Sequence, residues 1–202
     1  MATAFLMIDI QNDFCPGGRL AVAGGDEIVE RVNALQDRFY IRVLTQDWHP
    51  ADHASFADQH PDADPFSVIE VAYGPQVLWP RHCVQGTPGA EFHSDLRVDA
   101  DLIIRKGFRR EIDSYSAFFE NDKSTPTGLA GYLRERGVDD VVLVGLATDF
   151  CVYYSAIDAV AQGFRATVLR DCCRAIDLDG SLAAAVADME AKGIGFLDSN
   201  AL

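Results

Sequence analysis

Val141-Val142-Leu143-Val144-Gly145-Leu146-Ala147-Thr148-Asp149-Phe150-Cys151-Val152 is the stretch that decides the fold. Its first four residues are a continuous, largely β-branched apolar run, the composition of a strand covered on both faces. Thr148 or Asp149 then offers a helix cap, which predicts a helix over 149–163. A buried strand feeding a helix is half of a βαβ unit, and the pattern repeats on either side. Further strands are predicted at 4–9, 41–44, 102–105 and 166–169, with a short last one at 194–197. Ile28, Val32, Leu35 and Phe39 follow helical spacing from Asp26. Thr125-Pro126 predicts the start of a helix whose inner face is Leu129, Tyr132 and Leu133, ended by Gly137. A last helix carries Leu182, Val186 and Met189 to Gly193. Such alternation predicts an α/β fold, a three-layer α/β/α sandwich around a mostly parallel central sheet.

A chain of 202 residues reads as one domain over 1–202. Residues 50–100 break the rhythm, with six of the eight prolines and little periodicity. A long connection of that kind is usually functional, so 50–100 reads as an ordered excursion over the active-site edge, carrying metal and pocket residues. The net charge of −14 disfavours nucleic acid and anionic membranes. The expected partner is a small molecule; the oligomeric state is left open, a homo-oligomer included. No signal peptide is read at the N-terminus. Five cysteines at irregular spacings read as reduced thiols of a cytoplasmic protein.

Three chemically distinct residues fall where predicted strands end. Asp9 closes 4–8, Lys106 closes 102–104, and Cys151 follows 141–145. In an open parallel sheet, the strand carboxyl ends border the active-site crevice, and an acid, a cation and a thiol gathered there make a nucleophilic site. Each also has a plainer reading: Cys151 as a small buried hydrophobe, Asp9 as a turn cap, Lys106 as a strand-end lysine reaching solvent. The first turn of a helix favours a thiolate at Cys151, and its free N–H groups suit an oxyanion. Asp47-Trp48-His49 follows the second strand, and residues i and i+2 of extended chain point the same way. His53 and His82 follow. One carboxylate with two or three imidazoles suits one divalent ion such as Zn²⁺, Fe²⁺ or Mn²⁺. His60 and His93 read as solvated.

Six segments in order carry a family resemblance: Asp9-Ile10-Gln11-Asn12-Asp13-Phe14, Thr45-Gln46-Asp47-Trp48-His49-Pro50-Ala51-Asp52-His53, Leu78-Trp79-Pro80-Arg81-His82-Cys83-Val84-Gln85-Gly86-Thr87, Arg105-Lys106-Gly107, Asp113-Ser114-Tyr115-Ser116-Ala117-Phe118, and 145–152. Together they resemble the nicotinamidase branch of the isochorismatase-like cysteine hydrolases over nearly the whole chain. The resemblance implies an isochorismatase-like sandwich fold and hydrolysis of nicotinamide to nicotinate and ammonia, with pyrazinamide as a related substrate. It implies a catalytic triad of Asp9, Lys106 and Cys151. It also implies a divalent metal, zinc first with iron or manganese as alternatives, on Asp47, His49 and His82, with His53 a ligand in some members only. A cis peptide at Leu146-Ala147, oxyanion donors from the Ala147 and Cys151 backbone, and aromatic walls from Phe14, Trp79 and Tyr115 follow in the same way. The rivals are a metal-dependent hydrolase with a bystander cysteine and a ureido or N-carbamoyl amidohydrolase of the same superfamily. An isochorismatase proper and a non-catalytic thiol sensor or scaffold stand further off.

Overall fold

The computed structural model describes residues 2–202. Its strands are β1 (Ala2–Ile8), β2 (Ile41–Asp47), β3 (Val68–Val71), β4 (Gly74–Val77), β5 (Leu102–Lys106), β6 (Val138–Leu146), β7 (Arg165–Arg174) and β8 (Gly195–Leu197); its helices are α1 (Val29–Gln36), α2 (Leu129–Glu135), α3 (Tyr153–Ala161) and α4 (Ser181–Ala191). Six strands form one sheet in the order β5-β2-β1-β6-β7-β8, every neighbouring pair parallel.

Strand periodicity explains the layers. Ala4, Leu6 and Ile8 of β1, with Val141 and Leu143 of β6, face one core, where Leu129 and Leu133 of α2, Ala156 and Ala159 of α3, and Ala185 and Met189 of α4 cover them. The intervening Phe5, Met7, Val142 and Val144 face the other core, under Val29, Val32 and Leu35 of α1. Successive side chains alternate between faces, so each central strand must be apolar throughout, as 141–144 is. Phe39, just past α1, stacks on Phe5 with ring centroids 4.6 Å apart. Among the described residues, no helix is long and apolar enough to cross a membrane.

From β1 the chain builds outward to β2 and β5, and from β6 it builds the other way to β7 and β8. The order therefore reverses between β1 and β6, and the crevice beyond their carboxyl ends is where such sheets bind ligands. Gly145 makes the approach of these strands possible. It sits at φ +122°, and a Cβ there would collide with the Ile8 carbonyl oxygen.

Two expectations need correction. The helix expected over 149–163 opens with a π-helical turn, Thr148–Val152, preceded by Ala147, and the α-helical part starts only at Tyr153. Neither Thr148 nor Asp149 caps it; the Asp149 carboxylate instead accepts the Ile176 and Asp177 N–H groups at 3.0 and 2.8 Å and the Ser181 hydroxyl. Three donors from the chain beyond β7 outcompete a local cap. Thr125-Pro126 does not start α2 either, because Asp122 draws the Thr125 N–H and hydroxyl into a turn; Gly128 precedes the helix, and Thr127 Oγ1 accepts the Leu129 N–H at 3.3 Å. Within 50–100, β3 and β4 form an antiparallel hairpin that the proline-rich composition masks.

Candidate active site

Asp9 follows β1 directly in a left-handed conformation, φ +46°, a costly backbone state for a residue with a side chain. Thr45 of β2 holds it there. The Asp9 N–H donates to Thr45 Oγ1 at 3.1 Å, and that hydroxyl donates to Asp9 Oδ1 at 2.6 Å. Lys106 ends β5, two strands away, in register with Asp47. With strands about 4.8 Å apart, only a long side chain crosses β2. The fully buried ammonium does so, meeting Asp9 Oδ2 at 2.8 Å, the Asp47 carboxylate, the Ser114 carbonyl at 2.8 Å and Cys151 Sγ at 3.5 Å. Asp9 Oδ2 lies within ion-pair range of Lys106 but receives no directed hydrogen bond. The structure thus brings Asp9, Lys106 and Cys151 together.

Electrostatics follow from burial. Desolvation pushes the Asp9 carboxyl up, and the Lys106 charge only partly opposes it. Burial also pushes the Cys151 thiol up, Lys106 opposing and Asp9 and Asp47 reinforcing. Lys106 moves against its own burial, because Asp47, Asp9 and Cys151 hold it charged. Burial thus raises the proton affinity of both the thiol and the carboxyl, with the Lys106 ammonium fixed between them and Asp47. Ser155 anchors the Cys151 backbone: its hydroxyl donates to the Cys151 carbonyl and accepts the Ala117 N–H at 2.8 Å.

The candidate metal residues converge on the other side of Asp47. His49 Nε2 and His82 Nε2 lie 3.6 and 3.8 Å from Asp47 Oδ2, and the three ligand atoms fall within 4.8 Å of one another. Each imidazole places Nδ1 2.8 Å from a backbone carbonyl, Gly107 for His49 and Pro80 for His82. A carbonyl can only accept, so Nδ1 carries the proton and the Nε2 lone pair faces Asp47, the orientation a metal ligand needs. The donor set fits a borderline divalent ion. Gly107, at φ +64°, serves this placement, since a Cβ would strike the His49 ring. Burial draws His49 down, but Asp47 and then Asp113 more than offset it, so its net shift is upward. His53 stands outside this trio. Its Nδ1 accepts the Ser55 N–H at 3.2 Å and meets the Ser55 hydroxyl at 2.8 Å, which leaves Nε2 to donate to the Ile112 carbonyl at 3.3 Å. Its ring lies 4.4 Å from that of His49, and burial, then the His49 charge, brings it to about 4.

A pocket opens onto these groups, lined by Phe14, Leu20, Asp47, Trp79, His82, Asp113, Tyr115, Ala147, Phe150, Cys151 and Ile176. All three expected aromatic residues are in its wall. Trp79 Nε1 donates to the Tyr115 hydroxyl at 3.0 Å, and Phe150 meets Trp79 edge-on at 4.9 Å. The Leu146-Ala147 peptide is cis. Sequence reasoning missed Phe150, Asp113 and Thr45. Phe150 and Thr45 lie inside quoted segments as ordinary apolar and strand residues, and Asp113 opens a segment read only for its tyrosine. His60, read as solvated, is half-buried, with Nε2 2.7 Å from the Ala54 carbonyl.

Residues 3–201 match the isochorismatase domain, and the chain belongs to the isochorismatase family. Within it, the chain is 55% identical over 197 residues to a nicotinamidase of Acinetobacter baylyi, covering 97% of this chain and 92% of that one. The fold superposes with a TM-score of 0.97 on a nicotinamidase/pyrazinamidase structure from Acinetobacter baumanii, at 55% identity over 98% of this chain and 96% of the other. A pyrazinamidase of Pyrococcus horikoshii in complex with zinc matches at a TM-score of 0.78 and 37% identity, over 98% and 99% of the two chains.

Proposed function

We infer that this protein is an amidohydrolase that converts nicotinamide and water to nicotinate and ammonia, and acts on pyrazinamide by the same chemistry to give pyrazinoate. The observation that carries this reading is the meeting of a carboxylate, an ammonium and a thiol on one wall of an aromatic pocket, in a chain so similar to nicotinamidases. On this reading residues 1–202 act as one catalytic domain.

Asp9, Lys106 and Cys151 are the catalytic residues. Cys151 Sγ attacks the carboxamide carbon while its proton passes to Asp9 Oδ2, the oxygen Thr45 leaves free. Between ordinary thiol and carboxyl values that transfer costs on the order of 6 kcal/mol. Burial raises both proton affinities and so does not by itself close that gap; Lys106, in reach of both groups, stabilises the thiolate that forms. The negative oxygen of the tetrahedral intermediate accepts the backbone N–H groups of Ala147 and Cys151, donors worth roughly a hundred- to a thousandfold each. Asp9 returns the proton to the nitrogen, the C–N bond breaks and ammonia leaves a thioester on Cys151. Water, losing a proton to Asp9, then attacks the thioester carbon, and the released sulfur takes that proton back. Phe14, Trp79 and Tyr115 pack the ring.

Asp47, His49 and His82 would hold a divalent ion, zinc first with iron or manganese as alternatives, and such an ion there supplies Lewis acidity toward a ring nitrogen. The test is ammonia release from nicotinamide, pyrazinamide and N-carbamoyl compounds, with and without chelator. Turnover of the two ring carboxamides is expected. Release only from N-carbamoyl compounds would transfer the assignment to that branch of the superfamily.

A further inference from the structure

We propose that Asp113 sets the affinity of the metal centre, its carboxylate being the second buried negative charge that retains a divalent ion beside Asp47, His49 and His82. This rests on the metal reading above and adds a residue to it.

Asp113 is 2% exposed and lines the same pocket as Asp47, His82 and Cys151. One of its oxygens and a ring nitrogen from each of His49 and His53 lie within 4.8 Å of one another, so the carboxylate stands beside His49, a member of the trio. Its hydrogen bonds are all from neutral donors: Oδ1 accepts the Ser114 N–H at 2.8 Å and Oδ2 accepts Gln76 Nε2 at 2.7 Å. These donors fix its direction without cancelling its charge. Among the described residues, no lysine, arginine or histidine nitrogen comes within 4.0 Å of it. Its supports are themselves braced. The Tyr73 hydroxyl donates to Gln76 Oε1 at 3.0 Å, and His53 holds the preceding Ile112 carbonyl. The β3–β4 hairpin therefore serves the site by delivering Gln76.

Charge balance gives the reason. A buried carboxylate without a counter-charge is costly. Lys106 satisfies one of the three site carboxylates, Asp9, Asp47 and Asp113, and the two charges left over match a divalent cation. Outer partners of metal ligands are commonly worth 10- to 100-fold in affinity.

The test titrates metal-stripped wild type and Asp113→Asn with zinc chloride against a competing chelator and reads the dissociation constant directly, with no substrate present. Zinc should bind about 10- to 100-fold more weakly to the variant. Asp113→Glu should stay closer to wild type, and exposed Asp52→Asn should not change. Asp113→Ser, smaller and likewise neutral, carries the same expectation if the Asn variant fails to fold. A dissociation constant within twofold of wild type in the neutral variants overturns the inference, as does a wild type that binds no zinc. A wild type that binds zinc but releases no ammonia from nicotinamide sinks the proposed activity and leaves this inference standing.

Discussion

At the scale of single residues, the two oxygens of Asp9 have different jobs because Thr45 occupies only one of them. A hydrogen bond to a charged group is worth roughly 1.5–3 kcal/mol. Thr45→Val, which keeps the shape and loses the hydroxyl, should therefore lower kcat by about tenfold or more with little change in KM, and Thr45→Ser should recover most of it. A loss confined to KM would show that Thr45 does not position Asp9 for the reaction. Cys151→Ala should abolish ammonia release while nicotinamide still binds by calorimetry; surviving turnover would remove the thiol from the mechanism. Asp47→Ala, which breaks the metal trio, should act mainly on KM, and a defect confined to kcat would contradict an orienting ion. Asp9, Lys106 and Cys151 were legible before folding because each is chemically out of place at the end of an apolar run. Asp113 and Thr45 were not, since nothing in a sequence distinguishes a carboxylate or hydroxyl that turns inward from one that faces water.

At the scale of elements, β1, β2, β5, β6 and α1 could be read closely, because burial on both faces or one stripe leaves a period in the residues themselves. Boundaries set by distant partners could not. Asp149 looks like a local cap and is taken by residues 176, 177 and 181. Asp122 shows the converse, a strong local turn that displaces the start of α2. Burial pushes its carboxyl up, but bonds from the N–H and hydroxyl groups of Thr125 and Ser124 win and bring it to about 2, from 3.8. A folded value below the unfolded one means stability that is complete above about pH 4 and lost as pH falls toward 2. The full shift corresponds to about 2.5 kcal/mol, and solvent screening at this near-surface site reduces it to about 1 kcal/mol. Asp122→Ala should thus lower Tm by about 2–4 °C at pH 7, and thermal melts should show the gap closing between pH 4 and pH 2. A gap that widens in acid would contradict the turn's electrostatics.

At the scale of the whole molecule, the metal trio joins the end of β2 to the chain around residue 82, and Lys106 joins β5 to β1. An ion held there would stabilise the fold by mass action, about 2.7 kcal/mol at a hundredfold excess over its dissociation constant. Chelation should therefore lower Tm by about 5–10 °C and remove activity, with added zinc restoring both in calorimetry and ammonia assays; an unchanged Tm would mean no such ion is held. By itself the sequence determined the layered α/β fold and the residue types of the site, because hydrophobic period and misplaced charge are properties of neighbouring residues. Only the tertiary structure decided which oxygen of Asp9 meets Thr45 and which meets Lys106, that His53 stands outside the Asp47–His49–His82 trio, and that Asp113 stands beside His49. Those outcomes depend on which donors arrive from across the fold, and a hydrogen bond between residues 36 to 59 positions apart leaves no local trace.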